Sequence, residues 1–133
     1  MMRKPTSKET SRKPNMREAI LVAAEELFAT NGFNAVSVRD IAQAAGANPG
    51  SVTYHFKTKD GLRRAVEELI VDYHRTAIAS ASADGTPAEV AAARDAAVRE
   101  MLNENPAVIG YMRRVLLDPS AEQTLLEQLT ALA

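Results

Sequence analysis

Two histidines and two pairs of adjacent glutamates are the groups in this 133-residue sequence with the means for acid–base or metal chemistry. His55 and His74 have no HExxH or HxH spacing and no glycine-rich phosphate loop around them. His55 falls at the seam of a short helix, where a packed or phosphate-bonded imidazole is the better reading than a general base. His74, beside Tyr73, reads as a plain helix residue. Glu25–Glu26 and Glu67–Glu68 lie on helical stretches, where adjacent residues diverge by about 100°. Neither pair therefore shapes a two-carboxylate site, and both read as solvated faces. The sequence has no cysteine, which excludes disulfides and thiolate zinc sites and suits a reducing compartment. No catalytic residue, metal site or cofactor is assigned, and the chain is not expected to be an enzyme.

Hydrogen-bonding chemistry is concentrated instead between Ser37 and Phe56, SVRDIAQAAGANPGSVTYHF. Val38, Ile41, Ala42 and Ala45 recur at helical spacing and share one face. Ser37 is a good N-cap, and Asp40 three residues on makes an acidic capping box. Gly46 stops this helix, because glycine enters the left-handed conformation without a Cβ penalty. Asn48 and Pro49 start the next one, as cap and first helical residue. Two short helices around a tight glycine turn form a helix-turn-helix. On the second, Val52 and Phe56 share the inward face, while Gly50 and Tyr54, flanked by Ser51 and Thr53, face outward without a charge. A glycine at that exposed start costs up to about 1 kcal/mol relative to alanine, which close approach to another surface would explain. A DNA major groove admits such a helix, N-terminal residues towards the base edges. An ordinary solvated helix face is the alternative.

The run AVSVRDIAQAAGANPGSVTYHFKTKDGL, with the lead-in ILVAAEELFATNGFNAVSV from Ile20, resembles the DNA-binding segment of TetR-type (tetracycline-repressor-like) transcriptional regulators. The match extends from about Asn15 to Leu69. By match to the family motif, Ser51 and Thr53 would face bases, with Gly50 allowing close approach. Arg39 can also reach a guanine, since arginine to guanine is the commonest specific contact. Ser37, Tyr54, His55, Lys57 and Lys59 would bind phosphate. The two lysines carry a physical argument as well. Lys59 lies in the first turn of a helix capped by Thr58, where a cation is unfavourable until an anion docks.

The elements around the motif follow from periodicity and caps. Residues 1–14 are polar, basic and proline-interrupted, and read as a disordered arm. Arg3, Lys4, Lys8, Arg12 and Lys13 would track phosphates there, or the arm is a solubilising tail. Asn15 caps a first helix with the stripe Ile20, Ala23, Ala24, Leu27 and Phe28. Phe33 and Val36 fold back onto the same core, and Phe28, Phe33 and Phe56 suggest that this head has a small core of its own. After Thr58 a long helix carries Leu62, Ala65, Val66, Leu69, Ile70 and Tyr73. The stretch from Ala79 to Gly85 then frays it into a linker. Thr86-Pro87, Asn105-Pro106 and Asp118-Pro119 each place a capping side chain before a proline, so three more helices are expected near 87–103, 106–117 and 119–132. The fold class is all-α. The domains are a helix-turn-helix head at 15–60 and a helical effector and dimerisation region at 61–133, reached through the fourth helix. No apolar run approaches the roughly 18 residues that span a bilayer, so no membrane contact is expected and the location reads as cytoplasmic. Basic residues outnumber acidic ones up to Arg75, and acidic residues dominate after it, which suits a nucleic-acid-binding head on a non-binding body.

The resemblance implies a homodimer on a palindromic double-stranded operator, a small-molecule effector and, most often, repression. Tyr73, Ile78, Met101, Tyr111 and Met112 are the candidate pocket residues, each also readable as core. The sequence departs from the family in stopping after a seventh helix, without the long helices that normally pair two subunits. It is expected to be C-terminally truncated, or else a short variant, or to dimerise through Leu125, Leu126, Leu129 and Leu132. The rival function class is a helical protein-interaction module that uses the exposed face of the second motif helix.

Overall fold

The computed structural model describes residues 15–118 and 124–132. Among them are seven α-helices: α1 (Met16–Asn31), α2 (Val38–Ala45), α3 (Pro49–Phe56), α4 (Lys59–Ser80), α5 (Pro87–Glu104), α6 (Pro106–Leu117) and α7 (Thr124–Thr130). A single 3-10 turn, Phe33–Ala35, joins α1 to α2. The basic arm and the Asp118-Pro119 restart of the last helix fall on residues 1–14 and 119–123, outside the described residues.

Capping side chains start most of these helices. Asn15, Ser37, Asn48, Thr58 and Thr86 each accept a backbone N–H from three residues ahead. Ser37–Asp40 and Thr86–Glu89 form complete, reciprocal boxes, each satisfying two donors that a helix start leaves orphaned. Both box carboxyls are held below the usual carboxylate range by the backbone and hydroxyl hydrogen bonds of their caps. Asn105 departs from expectation. It ends α5 and begins α6 at once, and its amide donates backwards to the Met101 carbonyl at 2.8 Å, so α6 has no side-chain cap.

α1 is the hub of the packing. It contacts α2, α3 and α4 on the head side and meets α6 over its most extensive interface. Gly110 eases that last crossing, since a Cβ there would press on the Ala29 Cβ at 3.3 Å and the Ala29 carbonyl at 3.4 Å. One apolar cluster runs without a break from Ile20, Ala24 and Phe28 through Ile41, Val52 and Phe56 to Leu62, Val66, Val108 and Leu125. The head thus has no core of its own: its phenylalanines belong to a core shared with the body. Leu125 is fully buried, and Leu126, Leu129 and Leu132 pack against the same cluster. Leu125 is spent inside the chain, worth about 1.5–3 kcal/mol, while the other three leucines are partly covered.

Two glutamates expected in solvent are not there. Glu67 on α4 accepts the Tyr111 hydroxyl of α6 at 2.7 Å. Burial pushes the Tyr111 phenol far above its ordinary range, and the bond and charge of Glu67 push it the same way. Glu25 is 6 % exposed, with an Oε2 that has no hydrogen-bond partner. Its position on α1 repeats the core spacing from Leu21 and Phe28, and helical geometry carries it inside with them. Burial, and then the neighbouring charge of Glu26, raise its carboxyl from 4.5 to about 7. The Tyr73 phenol on α4 is raised by its own burial and by the charge of Glu25.

This carboxyl gives the fold a pH dependence of known sign. The folded chain holds the Glu25 proton more tightly than the unfolded chain does. Its contribution is fully present below pH 4.5 and is lost as pH rises through about 7. Urea unfolding at pH 4 and pH 8 should show Glu25→Gln equal to the parent at the lower pH and more stable by about 1–3 kcal/mol at the higher. Parallel behaviour of the two proteins across that range would refute the assignment.

Candidate nucleic-acid interface

The turn between α2 and α3 is set by three residues. Gly46 adopts φ 72° and ψ 31°. Its N–H donates to the Gln43 carbonyl at 3.3 Å, while the Ala47 N–H reaches the Ala42 carbonyl at 2.8 Å. This is a Schellman closure, which needs a left-handed residue at that position. Asn48 then caps α3, its Oδ1 accepting the Ser51 N–H at 2.9 Å, with Pro49 in the first turn. Ile41, Ala42, Val52 and Phe56 fix the two helices against α1.

The outer face of α3 is as the spacing required. Gly50, Thr53 and Tyr54 are exposed, Tyr54 to 74 %, and Ser51 and His55 are half-buried. The glycine has a local reason besides close approach: a Cβ at position 50 would lie 3.1 Å from the capping Asn48 Oδ1. Thr53 donates its hydroxyl to the Pro49 carbonyl at 3.3 Å, which leaves its oxygen lone pairs and methyl group outward. His55 stands edge-on to Tyr54 at 5.0 Å between ring centroids. Arg39 on α2 and Ser37 at its cap are exposed on the same motif.

The lysines expected at phosphate divide. Lys57 is exposed and is the one non-glycine residue with positive φ among the described residues, at φ 68° and ψ −57°. The Thr58 N–H donates across it to the Phe56 carbonyl at 2.7 Å, closing a γ-turn of a rare and strained kind. Its ammonium folds back to the Tyr54 carbonyl at 3.3 Å and lies 5.8 Å from the Tyr54 ring centroid. Lys59 points elsewhere. Its Nζ donates to the Phe33 carbonyl at 2.6 Å and sits 4.2 Å from the centroid of the Phe33 ring, with burial pushing it below the ordinary lysine value. Arg63 lies 4.7 Å from the same ring while paired with Asp60 at 2.9 Å. Phe33 is thus gripped by the first two turns of α4. Lys59 is a tie between the head and α4, with one of its three N–H donors spent on that tie.

Arg17 was missed by the sequence reading. It lies 4.9 Å from the Phe56 ring centroid, beside the end of α3, and is exposed. The only signal was a cation in the first turn of α1, which no spacing connects to residue 56.

Two of the candidate pocket residues, Tyr73 and Tyr111, line different grooves. Tyr73 lines a small groove of about 390 Å³ between α1 and α4, with Leu21 and Leu69. Tyr111 borders a larger one between α1, α4 and α6, and Ile78, Met101 and Met112 line neither. His74 is buried, its Nδ1 2.8 Å from the Ile70 carbonyl.

With this geometry in place the chain was compared with known proteins. Residues 20–66 match the family model for bacterial regulatory proteins of the tetR family. The likeness lies in the head and takes in about a third of the chain. It is 41 % identical over 69 residues to the HTH-type transcriptional repressor KstR2 of Rhodococcus jostii (strain RHA1), a match covering 52 % of this chain and 32 % of that protein. Over 48 residues it is 42 % identical to the HTH-type transcriptional regulator QacR of Staphylococcus aureus, covering 36 % of this chain and 26 % of that one. A solved tetR-family structure from Shewanella sp. PV-4 superposes with a TM-score of 0.77 and 25 % identity, over 86 % of this chain and 62 % of that chain. The chain spans about a quarter to a third of the length of the two curated relatives, and both matches cover about half of this chain or less.

The two lysines can be told apart by stability alone. Lys57→Gly should raise the urea-unfolding free energy by about 0.5–1 kcal/mol, because glycine adopts positive φ without strain. Lys59→Met should lower it by about 1 kcal/mol through loss of the Phe33 hydrogen bond. Opposite shifts are expected, and shifts of the same sign would contradict the division.

Proposed function

We propose that this chain is a TetR-type, sequence-specific DNA-binding transcriptional regulator that acts as a repressor, with α3 entering the major groove. One observation carries the reading: a short capped helix, held from behind by Val52 and Phe56, turns a small, uncharged, hydrogen-bonding face to solvent. A face built for water would be charged, and one built for a protein core would be larger and apolar. Base edges ask for small polar groups at close range. Gly50, Ser51 and Thr53 read bases in this proposal, with Arg39 reaching a guanine. Ser37, Tyr54, His55 and Lys57 hold phosphates, Arg17 joins them, and Lys59 contributes only through donors left free by Phe33. KstR2 is described as a repressor, which supports the direction of regulation.

Operation as a homodimer on a palindrome belongs to the same proposal. Two recognition helices must lie about 34–36 Å apart, one DNA turn, to engage both half-sites. A small effector that shifts α4 or α6 changes that spacing through α1, against which both pack.

Selection of bound duplexes from a random pool, with the mass of the complex read alongside, is the direct test. A palindromic consensus bound by two chains is the expected result. Binding should weaken with salt at a log–log slope of about −0.9 per phosphate neutralised; a flat response would exclude the DNA reading. Lys57→Ala should weaken every duplex alike. Thr53→Ala should instead change preference among sequences, by up to about 1–3 kcal/mol at one position.

A further inference from the structure

Glu25 is a buried ionisable group that the DNA-facing surface does not use. It is 6 % exposed on the hub helix, and its Oε2 has no hydrogen-bond partner. A buried carboxyl in that position is tolerated as the neutral acid and is costly as the anion. Four residues before it, Leu21 lines the shallow groove of about 390 Å³ between α1 and α4, and Tyr73 lines the same groove from α4. Bulk water therefore stands about one helical turn along α1 from the carboxyl.

Among the described residues no cation offsets a charge at this position. α1 packs against α2, α3, α4 and α6. On α1 itself the neighbour is Glu26, which repels. α4 brings Tyr73, whose phenol Glu25 raises in turn, and His74, which is bonded to its own helix at the Ile70 carbonyl. From α6, Tyr111 is bonded to Glu67 of α4, and Arg114 is bonded to the Ala29 and Thr30 carbonyls. α2 and α3 contribute Ile41, Val52 and Phe56 to the shared core, none of them titratable.

The seam between α1 and α4 is held unevenly. At one end Lys59 ties the Phe33 carbonyl to α4. At the other, Leu21, Leu69, Ile70 and Tyr73 meet as apolar surface. α3 is braced by both helices, with Phe56 in the core they share. We propose that Glu25 is a proton switch on DNA engagement. With the carboxyl neutral, α1 and α4 stay packed and α3 is held ready for the groove. With the carboxyl ionised, water enters beside Tyr73, the helices part at that end, and α3 loses its bracing. The packed state holds the proton more tightly, so it is favoured below about pH 7 and disfavoured as pH rises through that value. The effect on DNA rests on the regulator reading above, whereas the opening of the seam does not.

The test measures affinity of the full 133-residue chain for the selected duplex at pH 6 and pH 8, for the parent and Glu25→Gln. The parent should lose at least about threefold more affinity than the variant over that interval; an equal loss overturns the switch. Titration of an exposed imidazole is common to both proteins and cancels in the comparison. Carbon-13 titration of the glutamate carboxyls, with the Glu25 signal identified by its loss in the variant, gives a second reading. Its midpoint should lie near 7 in the free chain and rise in the duplex complex, because the coupling is reciprocal. A midpoint in the ordinary carboxylate range, or one that the duplex leaves in place, overturns the proposal. If neither protein binds any duplex, the regulator reading falls and the free chain decides the switch. Amide exchange over α1 and α4, corrected for its intrinsic rate, should then rise from pH 6 to pH 8 more in the parent than in Glu25→Gln. Equal rises overturn it.

Discussion

The structure depends on one helix being buried on two sides. α1 supplies Ile20, Ala24 and Phe28 to a core that reaches Ile41, Val52 and Phe56 on one side and Val108, Val115 and Leu125 on the other. Three short helices alone enclose too little apolar surface to be stable, because small assemblies leave much of their area in water. Sharing α1 solves this for the head and at the same time ties it mechanically to the body. A protein interior is close-packed and does not stretch, so a displacement of α6 is felt along α1.

The α1–α6 joint is made of specific parts. Gly110 lets the two backbones approach at Ala29, and Arg114 satisfies the last carbonyls of α1. Tyr111 ties α6 to Glu67 on α4. Next to it Lys59 and Arg63 hold Phe33 against the start of α4. These joints combine cations or hydrogen bonds with apolar contact, and such combinations have preferred geometries where apolar contact alone slides. The angle of α3 is fixed separately, by the strained γ-turn at Lys57 and the Schellman closure at Gly46. Strain of this sort persists where its surroundings hold it in place.

Inside that frame, Glu25 works against stability at neutral pH. Its unpartnered oxygen sits on the hub helix, near enough to Tyr73 of α4 to raise that phenol. A leucine would pack there at lower cost. The carboxyl makes α1 sensitive to its electrostatic surroundings at the place where head and body share a core.

The sequence by itself determined everything governed by neighbours a few residues apart. Caps at Ser37, Asn48 and Thr58, the stop at Gly46, the stripes of α1 to α4 and the outward face of α3 were all legible. A cap or a glycine turn is decided within one helical turn. What only the tertiary structure decided involves partners 26 to 85 residues apart: Lys59 on Phe33, Tyr111 on Glu67, Arg114 on the end of α1. Nothing in the residues between records such a meeting. A charged residue on a helix reads as solvated until a second helix covers it, and this is why Glu25 and Glu67 were misplaced. The leucines of α7 show the converse, an apolar stripe whose partner, inside or outside the chain, is named only once the chain has folded back on itself.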